Sequence, residues 1–460
     1  METYKKRIGF AVSAQSLMIA GGIGQFTLGF IRMCHRLGYV VDLIVDQPLN
    51  GEKLEMVNHE DGLGNIYYPE LPKKYTVHQT IHMYSDSVNF EKEANFRDAF
   101  MRALSNHVYD FMVCNVPETF APWYSLGMQG FIPAVFYTHN ENFVGLTEKG
   151  GPYSDQYNAI YRKLLTLGTV IGTQTESNRE RMELHQISDN VRVLTMPMYE
   201  DLLLKEPTST KKSGMLFIGR WEERKNPQEF IDIVAKLDPE YPVKIITNKH
   251  GVNKFVYALR DVGHKNSIIF NDISSGGKAA VIMGSKFFVS PATKESFGYT
   301  SIETLGHCMV LYNDKYEWSK HFSRDFSNIY RYKNVVDAAD YIKVTDKFTK
   351  EQFFDPQIIE YQQLAYSQWS QLFEGSVYKS YYGSSTRSRF GKPQSGYVTK
   401  LNLIGRDLGV EDIASMYNAL GNYEVVQTRY TTWIANDGSK LPSSEAVPPG
   451  EVKVDSLFEV

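Results

Sequence analysis

No stretch of this sequence holds enough consecutive apolar residues to cross a bilayer, which takes about 20. A transmembrane reading falls away. Cysteine is scarce too: Cys34, Cys114 and Cys308 stand far apart, and no CxxC is present. That excludes a zinc site built on cysteine and fits a reducing, cytoplasmic compartment. Net charge is also small, −4, so the sum argues neither for nor against a polyanionic partner and local clusters must decide. Nor does the start read as a secretory leader. The start METYKKRIGFAVSAQSLMIAGG places basic residues before an apolar stretch, but Ser13, Gln15 and Ser16 interrupt it and it runs on into a glycine turn. These residues read as a first buried strand.

What is present is a repeating alternation. RIGFAV reads as a short strand, AGGIG as a turn, and QFTLGFIRMCHRL as a helix with Phe26, Phe30, Met33 and Leu37 at helical spacing. Gly38 then stands where a left-handed residue is wanted, before the strand YVVDLIVD. YDFMVCNVP, IPAVFYTHN and TVIGTQT continue the series. Near residue 200 the pattern restarts with SGMLFIGR, the helix PQEFIDIVAKL opened by Pro227, and the strands YPVKIITN, NSIIFND and SKFFVSP. Strands alternating with helices predict an α/β chain with parallel sheets, and two such halves in series predict two Rossmann-like, doubly wound domains facing a cleft. The expected organisation is 1–200, 201–360, a helix over 361–375 returning to the N-terminal domain, and a small extension over 376–460.

Two motifs carry chemistry. In GRWEERKNP, Gly219 and Arg220 end a strand and Lys225 precedes a helix that begins near Pro227. Cations at a strand end and at a helix start can converge on one diphosphate and stabilise it as it departs. In KESFGYTSIE, Glu295 follows a strand, Gly298 frees the backbone, and Glu303 lies about a turn inside a helix whose first N–H groups suit a phosphate. Two acids so placed can reach different hydroxyls. The plainer reading of either motif is a set of solvated charges. In the first half, Gly21, Gly22 and Gly24 allow a close backbone approach to a ligand, or simply make a tight turn.

Taken together, GGxG, then GR and Lys225, then EX7E resemble the retaining GT-B glycosyltransferases, especially the large family called group 4, over roughly residues 8 to 375. The resemblance implies that Arg220 and Lys225 hold the donor diphosphate, that Glu295 binds sugar hydroxyls with backbone help from Phe297, Gly298 and Tyr299, and that Glu303 binds the nucleotide ribose. Gly22 and Gly24 would bring backbone close to the donor. His139, in YTHNEN, matches the family's N-terminal-domain histidine beside the reacting sugar; its plainer role is a hydrogen-bonded loop histidine. The implied catalytic set is His139, Arg220, Lys225 and Glu295, with a nucleotide sugar, usually of uridine, as co-substrate and neither metal nor other cofactor. The absence of Asp-x-Asp agrees with a leaving group neutralised by Arg and Lys. The chain departs from the family in TLGHCMVLYND, where Gly306 comes early and no proline follows.

The acceptor side is less legible. SVYKSYYGSSTRSRFGKPQSGYVTKLNLIGR, residues 376–406, has six cations, among them Arg387, Arg389 and Lys392, interleaved with tyrosines and no acid, a texture that suits phosphate contact and base stacking. GVEDIASMYNALGNYEVVQTRYTTWIANDG resembles a helix-turn-helix that would present Arg429; otherwise it is a small packing domain. The aromatic, lysine-containing texture is similar to that of tailed-phage proteins, which implies double-stranded DNA as partner and a hydroxymethylated base as acceptor. A polysaccharide or lipid-linked glycan is the alternative acceptor, and a non-catalytic DNA- or sugar-binding protein is the alternative from another class.

Overall fold

Short apolar runs that cannot leave one face to water must be covered on both sides, and here they pair as parallel strands. The computed structural model describes residues 6–17, 22–73, 90–126, 128, 132–139, 170–176, 178–180, 191–206, 212–271, 273–293, 295, 297–316, 328–347 and 354–374. The chain divides into two units, one made of residues 1–18, 30–195 and 367–460, the other of 19–29 and 196–366. The basic arm and the segment around Arg429 lie outside the described residues, as do Gly21, Lys294 and Ser296. Among the described residues no helix is long and apolar enough to cross a membrane.

The first unit is built on β1 (Lys6–Ala11), β2 (Tyr39–Ile44), β3 (Leu63–Tyr67), β4 (Phe111–Cys114), β5 (Ala134–Tyr137), β6 (Val170–Thr173) and β7 (Val191–Val193), with helices α1 (Gly22–Arg36, whose residues 22–29 group with the second unit), α2 (Gly51–Asn58), α3 (Phe90–Asn106) and α4 (Phe120–Ser125) in the connections. Its seven strands run parallel in the order β3-β2-β1-β4-β5-β6-β7. The order reverses direction beside β1, the place where open α/β sheets bind ligands at strand C-termini. Helix α1 buries Phe26, Phe30 and Met33 as the spacing predicted, while Leu37 stays partly exposed. It ends where Gly38 takes φ 82°.

Three strands carry little sequence signal. β3 is mostly half-exposed, β7 has three residues, and β13 (Ile329–Tyr332) in the second unit is a Tyr-Arg mixture with one fully buried position. Each lies at a sheet edge, where one side of the strand is unpaired and the apolar pattern thins out.

The second unit repeats the scheme with β8 (Met215–Ile218), α5 (Pro227–Val234), β9 (Val243–Thr247), α6 (Lys249–Asp261), β10 (Ser267–Asn271), α7 (Ser275–Met283), β11 (Phe287–Ser290), α8 (Tyr299–Leu305), β12 (Met309–Asn313), β13 (Ile329–Tyr332) and α9 (Val335–Thr345). Six parallel strands lie in the order β10-β9-β8-β11-β12-β13. Phe217, Phe230, Phe255, Phe287, Leu311 and Tyr332 fill its core. β8 and β11 are neighbours at the reversal of this sheet, so the loops after them start side by side.

A further helix, α10 (Gln357–Phe373), follows. Its last turns belong to the first unit: Trp369 is fully buried, with ring centroids 5.0 Å from Phe30 and 5.6 Å from Tyr137, and its Nε1 donates to Thr195 O at 3.0 Å.

Candidate functional site

The loop after β8 is shaped by backbone before any side chain acts. Glu223–Lys225 form a single tight turn, and Asn226 takes φ 48°, ψ 52° before Pro227 opens α5. Asn226 is the one non-glycine with positive φ among the described residues, a conformation that needs support in an L-residue. Glu229, in the first turn of α5, supplies it: Oε2 accepts from Asn226 Nδ2 at 2.6 Å, while Oε1 accepts from Asn313 Nδ2 at 2.6 Å and Tyr332 OH at 2.8 Å. The carboxylate thus ties the turn carrying Lys225 to the ends of β12 and β13.

Gly219 makes room for that turn. A Cβ there would stand 3.2 Å from the Phe217 ring and 3.6 Å from Lys225 Cδ, so the lysine stem lies back over the end of β8. The adjoining loop after β11 is fastened to it by Thr293 N donating to Arg224 O at 2.9 Å. This brings Glu295 to Lys225, and Lys225 Nζ donates to Glu295 Oε1. Arg220 stays about half exposed, with Nε 3.0 Å from Glu222 Oε1.

Gly298, at φ 75°, turns the chain into α8, where a side chain would be strained. Tyr299 is buried; its hydroxyl donates to Pro197 O at 3.1 Å and accepts from Tyr199 N at 3.2 Å. A Cβ on Gly22 would lie 4.0 Å from Tyr299 Cβ, which puts the start of α1 beside α8. Gly24 is buried two positions further along. Phe297 is buried as well. Glu303, on α8, is also buried and pairs with Lys278 Nζ of α7 at 2.5 Å. Each acid of the motif therefore meets its own lysine, Glu295 with Lys225 and Glu303 with Lys278. Gly306, which departs from the family pattern, ends α8 in ordinary helical geometry; a Cβ there would come within 2.9 Å of Ile358.

His139 belongs to the first unit, two residues past the end of β5. Asn115 follows β4 and Gln174 follows β6, so three adjacent strand ends meet at the imidazole. Nε2 lies 2.7 Å from Asn115 Oδ1 and Nδ1 lies 3.1 Å from Gln174 Nε2, with the Tyr137 ring packed edge-on at 4.9 Å. With the amides so placed, the neutral ring donates from Nε2 and accepts at Nδ1. Although the residue keeps some solvent contact, burial pushes its pKa down to about 3. The unfolded chain takes up this proton below about pH 6.5, the folded protein only near 3, so the stability His139 contributes above pH 6.5 is lost as pH falls through that window. In NMR titrations its imidazole resonances are expected to stay fixed from pH 8 to 5; an inflection near 6.5 would contradict this arrangement.

Glu229, Lys278, Asn115 and Gln174 were not singled out by sequence. A lysine or glutamate inside an amphipathic helix has no local mark that separates it from solvated neighbours. Asn115 and Gln174 could have been found only as polar residues ending apolar strand runs.

No family model matches the sequence, and no curated protein matches it. Solved structures do match the fold. Sucrose-phosphate synthase from Thermosynechococcus elongatus aligns with a TM-score of 0.58 at 14% identity, covering 84% of this chain and 99% of its own. A glycosyltransferase from Rickettsia africae gives 0.55 at 12%, covering 88% and 100%. HepE of Anabaena, solved with UDP, gives 0.53 at 11%, covering 86% and 97%. The architecture is the α/β GT-B fold, with two parallel sheets.

Proposed function

We propose that the chain is a glycosyltransferase that moves a sugar from a nucleotide sugar, a UDP-sugar in the simplest case, to an acceptor hydroxyl with retention of configuration. The observation that carries this reading is the Lys225–Glu295 pair where the loops after β8 and β11 meet, with the half-exposed Arg220 on the same strand end. A lysine has three N–H donors and Glu295 engages one, leaving two for phosphate oxygens. Glu295 Oε2, which accepts no hydrogen bond among the described residues, suits a sugar hydroxyl. The fold shared with a UDP-bound protein supports the choice of donor.

In this mechanism Arg220 and Lys225 stabilise the diphosphate as the glycosidic bond breaks, in the role a divalent metal serves elsewhere. The acceptor attacks from the face the leaving group vacates, and the departing phosphate oxygen takes the acceptor's proton. His139 remains neutral beside the reacting sugar, with both ring nitrogens held by Asn115 and Gln174, and contributes no charge. Phe297, Gly298 and Tyr299 present backbone to the donor sugar, and Gly22 and Gly24 do the same from the start of α1.

For the acceptor, the reading is a hydroxymethylated base in duplex DNA, supported by the basic, aromatic stretch 376–406 and by Arg429. A glycan is the second acceptor class. Purified protein incubated with a panel of nucleotide sugars, with and without hydroxymethylcytosine DNA, decides among these. DNA-dependent nucleotide release, with a nucleoside gaining one sugar, is the expected result. Release unaffected by DNA would redirect the acceptor to glycans, and no release from any donor would remove the transferase reading.

A further inference from the structure

Adjacent strand ends of the first unit hold buried polar atoms that no protein group satisfies. Asn115, after β4, is fully buried and Gln174, after β6, is 5% exposed; Nδ2 of the first and Oε1 of the second meet no partner among the described residues. Ser13 Oγ, two residues past β1, and Thr173 Oγ1, at the end of β6, are buried and unpartnered in the same way. β1, β4, β5 and β6 are consecutive in the sheet, so these residues stand in one row with His139 among them, beginning at the reversal of strand order. Each such atom costs about 1–3 kcal/mol when it stays unpaired, and the C-terminal ends of strands at a reversal are where open α/β sheets take ligands.

The imidazole fixes what this row offers. Asn115 Oδ1 accepts from Nε2 and Gln174 Nε2 donates to Nδ1, so each amide has its other end left over: an N–H on Asn115 and a C=O on Gln174. His139 keeps some solvent contact, so the row is open at the ring. Burial is the only cause of the depressed imidazole pKa, and no charged side chain bears on it. One donor and one acceptor without a charge suit an uncharged group that has one lone pair and one proton to share; a phosphate or carboxylate would be buried there without a counterion. Apart from His139, every residue assigned above to the donor belongs to the second unit, which leaves the amides of the first to the acceptor.

We infer that Asn115 and Gln174 seat an uncharged polar group of the acceptor beside its reacting hydroxyl, Asn115 Nδ2 donating to that group and Gln174 Oε1 accepting from it. This rests on the transferase reading above and adds two specificity-determining residues to it. A second hydroxyl of a glycoside has the required chemistry, and so has the ring-nitrogen and amine edge of hydroxymethylcytosine. Amides that serve only to hold the imidazole, with a buried water on their outer ends, would affect stability and turnover and leave acceptor affinity alone.

Transfer from the nucleotide sugar that gives release is measured to methyl glucoside and to hydroxymethylcytosine duplex DNA, on wild type, Asn115→Asp and Gln174→Met; the probe that accepts identifies the source of the group. Asn115→Asp keeps the oxygen that accepts from His139 but replaces the outward N–H by a second acceptor, so the KM for the accepting probe should rise about tenfold, while Gln174→Met, which removes the outward acceptor, should raise it about three- to tenfold. UDP affinity, read by calorimetry, should change little in either. The new carboxylate beside Nε2 should also lift the His139 pKa from about 3 toward the ordinary histidine value, seen as an imidazole titration by NMR. Should Asn115→Asp fold poorly, Gln174→Met decides. An acceptor KM unchanged in the variants, or nucleotide release with transfer to neither probe, overturns the inference and leaves the donor reading standing. Wild type that neither binds UDP nor releases nucleotide from any donor overturns the donor reading itself, and this inference with it.

Discussion

Lys225→Ala is expected to lower kcat about 100- to 1,000-fold, the usual effect of deleting one preorganised group that stabilises charge developing in a transition state. The lysine has two roles, and the variant must separate them. It holds Glu295, whose side chain is 9% exposed, and truncation strands that carboxylate at a cost of about 1–3 kcal/mol, moderated because Lys225 keeps some solvent contact. It also supplies the donors proposed for the diphosphate. Lys225→Ala combined with Glu295→Gln removes both charges, so stability should recover toward wild type while turnover stays low. Glu295→Gln alone should fold with little change and lose turnover through the sugar contact. Denaturation midpoints and nucleotide release on the three variants distinguish the outcomes. If turnover returned along with stability in the double variant, Lys225 would be a structural counterion and no more.

Trp369→Ala is expected to be the most destabilising single change, costing about 3–5 kcal/mol, as large buried aromatics do when truncated. The indole is fully buried against Phe30 and Tyr137, with Phe373 at 5.9 Å. Losing it opens a cavity and leaves Thr195 O without its donor. At about 2–4 °C per kcal/mol for a body of this size, the thermal midpoint should fall by roughly 10 °C. Trp369→Phe keeps most of the ring and loses the N–H, so a smaller loss of about 1–3 kcal/mol is expected. A midpoint for Trp369→Ala equal to wild type would mean that the end of α10 is not part of this core. Nothing in the sequence marks the indole as such an anchor. Apart from Phe373 on its own helix, its partners come from α1, from β5 and from the segment after β7, all far away in the chain.

The site shows the same division between near and far. The turn GRWEERKNP and the loop KESFGYTSIE were legible because their chemistry is local: a glycine that yields space, a cation before a helix, an acid on either side of a second glycine. The turn before Pro227 was visible, but the left-handed backbone of Asn226 and the carboxylate that holds it were not, since Glu229 also needs Asn313 and Tyr332 from two later strands. His139 was singled out through the family resemblance of YTHNEN, whereas its neutrality had no mark in the sequence. That depends on enclosure by Asn115 and Gln174, which precede and follow it by 24 and 35 positions.

By itself, then, the sequence determined the alternation of strand and helix, the restart near residue 200, and the two charged turns at strand ends, because each is written in neighbouring residues through turn chemistry and apolar spacing. The tertiary structure decided the strand orders, the place of β3, β7 and β13, and the pairing of Lys225 with Glu295 and of Lys278 with Glu303. Parallel strands that touch are separated by whole crossovers, so a pair such as Lys278 and Glu303 comes into being only when α7 and α8 are set beside each other on one sheet.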